Sequence, residues 1–186
     1  MPLLLVGLNH RTAPVDVRER LSVSEQRLPD VVRRLQLVEG IDGAAVVSTC
    51  NRVEAIVSSR TENAIEGIVD WLAEQGGSDR ATLENHLYVL RHTDVVKHLF
   101  RVASGLDSMI IGEPQIGGQV RSAFQTASDL GTLDTLLQQV FAQTMRVAKK
   151  VRTDTAIGEH AVSVPVTPRI LSPSTASGNS TRRRLT

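Results

Sequence analysis

Apolar residues along the chain follow two rhythms. Unbroken runs at Leu3 to Leu8, Ala44 to Val47 and Val53 to Val57 are too short for helices and end in polar or turn-forming residues, as buried strands do. The first ends in the polar corner Asn9-His10-Arg11-Thr12-Ala13-Pro14. The other two flank Ser48-Thr49-Cys50-Asn51-Arg52, which reads as strand, tight polar corner, strand. The central strands are predicted over Ala44 to Ser48 and Val53 to Ser58, with a further strand at His86 to Leu90.

Elsewhere the spacing is helical. Val15 to Leu21 and Glu25 to Leu37 carry it, with Ser24 as N-cap and Leu28, Val31, Val32 and Leu35 as the apolar stripe. Gly40 to Gly43 reads as a turn. Ala64 to Ala73 is amphipathic and stops at Gly76-Gly77. Thr93, as cap, opens a helix to Ala103 whose apolar face is Val95, Val96, Leu99, Phe100 and Val102. Met109 to Pro114 is a loop or a short extended piece. Gln115 to Leu130 is helical and stops at Gly131. A last long helix runs from Leu136 past Val151, with the basic end Lys149-Lys150-Val151-Arg152.

Strands and helices mix without strict alternation, so the expected class is α+β, a mixed or antiparallel sheet packed with helices. Pattern ends at Val164. Residues 165–186, with three prolines, scattered Ser and Thr and Arg182-Arg183-Arg184, are expected to be a disordered basic tail.

Composition narrows the function. Of 186 residues, 41% are hydrophobic, enough for a packed core, while 3% are aromatic, too few for base stacking to be a main binding mode. The net charge of +1 gives no bulk attraction to nucleic acid. A single cysteine excludes an intrachain disulfide and a cysteine-rich zinc site. The five histidines show no ligand spacing, so no metal is expected. No signal peptide or membrane-spanning run is read at the N-terminus, and a cytoplasmic setting is expected.

Cys50 is the leading candidate for chemistry. A thiol on a strand corner is held rigidly yet can meet a ligand. Arg52 can favour its reactive form or bind an anionic substrate group, and Thr49, Asn51 and the corner amides can stabilise an oxyanion. The alternative is a buried, inert cysteine at a strand end. His98 sits at the border of the apolar and polar helix faces, where it can act as acid or base or merely solvate the edge. The stretch from Gly105 to Gln119 gathers Ser108, Glu113, Pro114, Gln115 and Gln119 between two helices. It suits a small polar ligand and is long and apolar-centred for a plain connector. Its glycines do not make the dinucleotide-binding pattern GxGxxG, which also needs a preceding strand.

These strings resemble the N-terminal catalytic domain of glutamyl-tRNA reductases. The matching pieces are Val6 to Pro14, Ser48 to Glu54, His98 to Ser108, Gly112 to Ile116 and Arg152 to Gly158. The resemblance spans about residues 1 to 164 and implies a catalytic, glutamyl-tRNA-binding domain over 1–156. A linker would then begin over 157–164. It implies that Cys50 attacks the ester of glutamyl-tRNA to form a thioester, which NADPH reduces to glutamate-1-semialdehyde for tetrapyrrole synthesis. It places substrate recognition on Thr49, Cys50, Asn51, Arg52, Ser108, Glu113, Pro114, Gln115 and Gln119, and matches His98 to a histidine important for activity. Arg52 would suit the glutamate carboxylate and Glu113 its ammonium group. Partners implied are glutamyl-tRNA, the following aminomutase and, for the family, a second subunit.

Two departures stand out. Gly117 replaces a large aliphatic residue usual in the family, at a cost of ~1 kcal/mol in helix propensity. After Val164 the family's NADP-binding and dimerisation domains are not recognisable, which suggests a truncated or frame-shifted product with no cofactor site of its own. The competing expectations are a weak glutamyl-tRNA esterase and a non-catalytic module that binds tRNA or protein.

Overall fold

The computed structural model describes residues 1–158. Four strands, β1 (Leu3–Asn9), β2 (Ile41–Thr49), β3 (Arg52–Ser59) and β4 (Tyr88–Arg91), form one antiparallel sheet in the order β2-β3-β1-β4. The helices are α1 (Val15–Leu21), α2 (Leu28–Gln36), α3 (Ala64–Gly76), α4 (Arg80–Glu84), α5 (Thr93–Ala103), α6 (Pro114–Asp129) and α7 (Thr135–Asp154), followed by a 3-10 turn at Ala156–Gly158. The α+β expectation holds.

Every residue of β1 and β3 is buried, so the sheet is covered on both faces. One face carries Arg52, Glu54, Gly7 and Tyr88 by the period-two rule and the pairing register and is packed by α5. On the other face the Ser48 hydroxyl accepts a hydrogen bond from Val23 N–H at 2.9 Å, tying the α1–α2 junction to β2. The outer edge of β2 is not left bare. Ala44 N–H donates to the Thr132 carbonyl at 2.8 Å and Thr132 Oγ1 donates to the Ala44 carbonyl at 2.9 Å. Phe124 of α6 and Phe141 of α7 stack with ring centroids 4.2 Å apart, two of the chain's few aromatics used to lock its last two helices.

Several boundaries differ from expectation for local reasons. The second helix starts at Leu28, not Glu25, because Pro29 favours a first-turn position. Ser24 serves through its backbone carbonyl, which accepts from Arg27 and Leu28 N–H, and not as a side-chain cap. Only Gly40 turns, with φ +83°, and β2 begins at Ile41. Thr93 lies inside α5, whose N-cap is His92 with φ +49°. The fourth strand is Tyr88–Arg91, and α4 was not expected at all. The expected tail at 165–186 lies outside the described residues.

Between α5 and α6 the chain makes a compact loop whose ends are joined by Gly112 N–H donating to the Gly105 carbonyl at 3.0 Å. Both glycines take positive φ, +77° and +85°, which a side chain would oppose. A methyl group on Gly112 would also overlap the carbonyl oxygen of Ile157, so the loop rests directly on the chain leaving α7.

Candidate active site

Thr49 and Arg52 close the β2–β3 hairpin as its last pair, leaving Cys50 and Asn51 as a two-residue corner. Neither takes positive φ. The turn is held from outside. Asn51 N–H donates to Thr49 Oγ1 at 3.2 Å, and His10 N–H donates to the Asn51 carbonyl at 2.9 Å. Arg18 of α1 donates to the Cys50 carbonyl at 3.0 Å and to Asn51 Oδ1 at 2.8 Å. The Cys50 thiol is free and exposed, as a nucleophile must be and an inert core cysteine would not.

One residue on, the chain dives into a buried ionic cluster. Arg52 is 1% exposed and Glu54, two residues further on the same face, 0%. Arg52 Nη1 donates to Glu54 Oε1 at 2.6 Å, and Nη2 donates to the Asp107 carbonyl and, at 3.2 Å, to its carboxylate. Arg11 pairs with the other Asp107 oxygen at 2.9 Å. Glu54 Oε1 also accepts from the Tyr88 hydroxyl at 2.5 Å and meets His98 Nε2 at 2.8 Å. A fully buried carboxyl would be raised by desolvation alone, but the His98 hydrogen bond and the Arg52 charge hold Glu54 down at about 2. Glu54 is therefore an acceptor, so His98 Nε2 donates to it and Nδ1 is the ring nitrogen not held by Glu54. Burial next to the Glu54 charge pushes the Tyr88 phenol well up, keeping it a donor. Desolvation and then the Arg11 and Arg52 charges lower His10.

Asn9, Arg11, Tyr88, Leu90, Lys97, His98 and Asp107 are among the residues lining a cavity of about 330 Å³. Among the buried side-chain atoms without a partner are Glu54 Oε2, in the ionic cluster itself, His10 Nδ1, and the hydroxyls of Ser104 and Ser108, which flank Asp107 in sequence. The structure thus joins Arg52 and His98 through Glu54 and sets Thr49, Cys50 and Asn51 at the adjacent corner. Ser108 follows Asp107 in the loop. Glu113, half-buried, and the exposed Pro114, Gln115 and Gln119 lie at the start of α6, with no recorded side-chain bond to the cluster. Arg52 is committed to Glu54 and Asp107. The cation holding the Cys50 corner is Arg18.

Reading the sequence missed Glu54, Tyr88, Asp107, Arg11 and Arg18. Two signals were available. Arg52 and Glu54 alternate with apolar residues in a run that otherwise reads as fully buried. Gly7 interrupts an apolar strand, the mark of a close approach.

The chain matches the model of the glutamyl-tRNA(Glu) reductase N-terminal domain over residues 6–155. It belongs to the glutamyl-tRNA reductase family. Relatives named glutamyl-tRNA reductase from Marinobacter nauticus and Desulforudis audaxviator are 45% and 46% identical over 164 residues, 88% of this chain. The solved glutamyl-tRNA reductase of Methanopyrus kandleri superposes with a TM-score of 0.74 at 35% identity over 87% of this chain. The chain spans 37–38% of the length of these three reductases.

Among the described residues no helix is long and apolar enough to cross a membrane. Among the described residues the sheet is antiparallel throughout, unlike the parallel-strand crevice of the doubly wound dinucleotide-binding fold.

Proposed function

We propose that the Cys50 thiolate is the acyl acceptor of a glutamyl-tRNA reductase. It attacks the ester carbonyl of glutamyl-tRNA; a C–S bond forms, the C–O bond to the ribose breaks, and the leaving ribose oxygen takes a proton. The observation that carries this reading is the exposed thiol on a corner braced by Arg18 and His10, beside a buried cluster that fixes His98. His98 Nδ1 is the position in the cavity able to pass a proton, because Nε2 is held by Glu54. Thr49, Asn51, Ser108, Glu113, Pro114, Gln115 and Gln119 would surround the glutamyl end, and the unpartnered Ser108 hydroxyl is suited to donate to it. In the present arrangement Arg52 reaches a substrate carboxylate only by exchanging Asp107 for it.

Completion of the family reaction needs a hydride, which NADPH would supply when bound. Because Cys50 is exposed, its thioester is open to water, and slow hydrolysis of glutamyl-tRNA is expected in assays without a hydride donor. The aminomutase and a second subunit remain proposals for the whole family protein.

The test is incubation with radiolabelled glutamyl-tRNA. Label that is stable to acid, released by hydroxylamine and lost in Cys50→Ser supports the reading. Equal labelling of Cys50→Ser, or none of the parent chain, overturns it.

A further inference from the structure

A second cavity, of about 380 Å³, lies where the end of α5 and the start of α6 meet the last turns of α7. Three of its lining residues are cations: Arg121 from α6 and Lys149 and Arg152 from α7. None of its lining residues is acidic. None of the three cations has an ion-pair partner among the described residues. Other described cations, such as Arg20, Arg27 and Arg146, also lack an ion pair, but Arg121, Lys149 and Arg152 share the lining of one cavity.

The floor is made by backbone. A Cβ on Gly117 would lie 2.9 Å from the Ala103 carbonyl oxygen and 3.9 Å from Arg152 Nη1, and one on Gly118 would meet nothing within 4 Å. Gly117 is thus a close packing point of α6 against α5, and Gly118 leaves open space in a lining it shares with the three cations.

We propose that this groove holds a backbone phosphate of the RNA whose aminoacyl end reaches Cys50. The proposal rests on the acyl-acceptor reading and adds an anchoring point to it. Three convergent cations without a carboxylate fit an anion of high charge density. No lining residue is aromatic, so a base has nothing to stack on, which favours a phosphate on a polynucleotide over a free nucleotide. The overall charge of +1 supplies no diffuse attraction, so local cations must do the holding. Pro114 lines this groove and sits between Glu113 and Gln115, the residues placed at the glutamyl end, so groove and site are continuous along the start of α6.

The test uses the full chain, uncharged glutamate-accepting tRNA and inorganic pyrophosphate, with binding followed by fluorescence anisotropy across a salt series. Two variants are compared with the parent: a triple Arg121→Gln, Lys149→Gln, Arg152→Gln, and Gly118→Leu, which fills the groove without changing charge. The triple variant should bind tRNA at least tenfold more weakly at low salt, with the slope of log affinity against log salt smaller by about 1. Gly118→Leu should weaken binding severalfold at unchanged net charge. Parent-like affinity and slope in the triple variant overturns the proposal. So does a triple variant that weakens while Gly118→Leu does not, because that is diffuse attraction and not a groove. Pyrophosphate that binds the parent while tRNA does not also overturns it, assigning a free-phosphate site. Labelling of Cys50 by a small glutamyl ester lacking RNA is read in parallel. Its absence counts against the acyl-acceptor reading alone, since the binding series decides the groove on its own.

Discussion

Tyr88 touches Glu54 across a strand that lies between them. Gly7 pairs with Glu54 on one side and with Tyr88 on the other, so the two side chains start roughly 10 Å apart, two strand spacings. Gly7 contributes no Cβ, and the hydroxyl meets the carboxylate at 2.5 Å over its bare backbone. The glycine is thus a structural part of the buried ionic cluster.

Gly7→Ala follows directly. Its Cβ would sit 2.6 Å from the Val53 carbonyl oxygen and 2.9 Å from Glu54 Cα and Cγ. Backbone cannot yield as a flexible side chain would. Overpacking of this kind costs about 1–3 kcal/mol, and displacement of Glu54 adds to it. The urea midpoint should fall clearly. A midpoint equal to the parent's would mean that the strands separate without loss and that the crossing contact contributes nothing.

Glu54→Gln should unfold the domain more easily by about 3 kcal/mol at neutral pH, since it leaves the buried Arg52 short of one counter-charge. The pH profile gives a second readout. Glu54 is held at about 2 in the folded protein against an ordinary 4.5. Below 4.5 the unfolded chain takes up the proton first, so stability should fall as pH drops from 4.5 toward 2. The variant should lack that part of the slope. An identical slope in both proteins would place the acid sensitivity elsewhere.

His10 is also lowered, from 6.5. It is a base, so the unfolded state binds its proton first as pH falls through 6.5, and stability should decline below that point. His10→Gln is expected to flatten the profile immediately below pH 6.5, above the Glu54 transition, as read by urea melts at fixed pH. If the decline persists unchanged in His10→Gln, another group carries it.

Cys50→Ser and Arg18→Gln separate chemistry from scaffold. The serine variant changes an exposed atom and should stay within about 0.5 kcal/mol of the parent, while losing its iodoacetamide adduct and its glutamyl label. Arg18→Gln removes two bonds that hold the corner. It should keep the thiol but slow its acylation about tenfold or more, because misplacement of a reacting atom is costly. Undiminished acylation would show that the hairpin holds its own shape.

The strands, six of the seven helices and the class of the fold were legible because their signals are local. Runs such as Ala44 to Val47 and stripes such as Val95, Leu99 and Val102 report burial without knowledge of partners. Cys50 was legible for a similar reason, as a polar corner between two such runs. The cluster behind it was not. Asp107 reaches Arg52 across fifty-five positions and Tyr88 reaches Glu54 across thirty-four, and nothing in a single sequence encodes those meetings. The expected use of Arg52 at the thiol overlooked that a charge buried in a strand needs its own counter-charges first. Helix starts failed at Ser24 and Thr93 because backbone carbonyls and His92 took the capping position, a choice that depends on how the preceding chain enters.

The contact between Gly112 and the carbonyl of Ile157 leaves no slack at the end of the domain. The loop bearing Ser108 and Glu113 is seated on the very peptide by which the chain departs α7. A tug or a twist applied to that departing chain therefore arrives at the loop as a push, with no soft side chain in between to absorb it. The exit from α7 is in this sense the hinge pin of the loop.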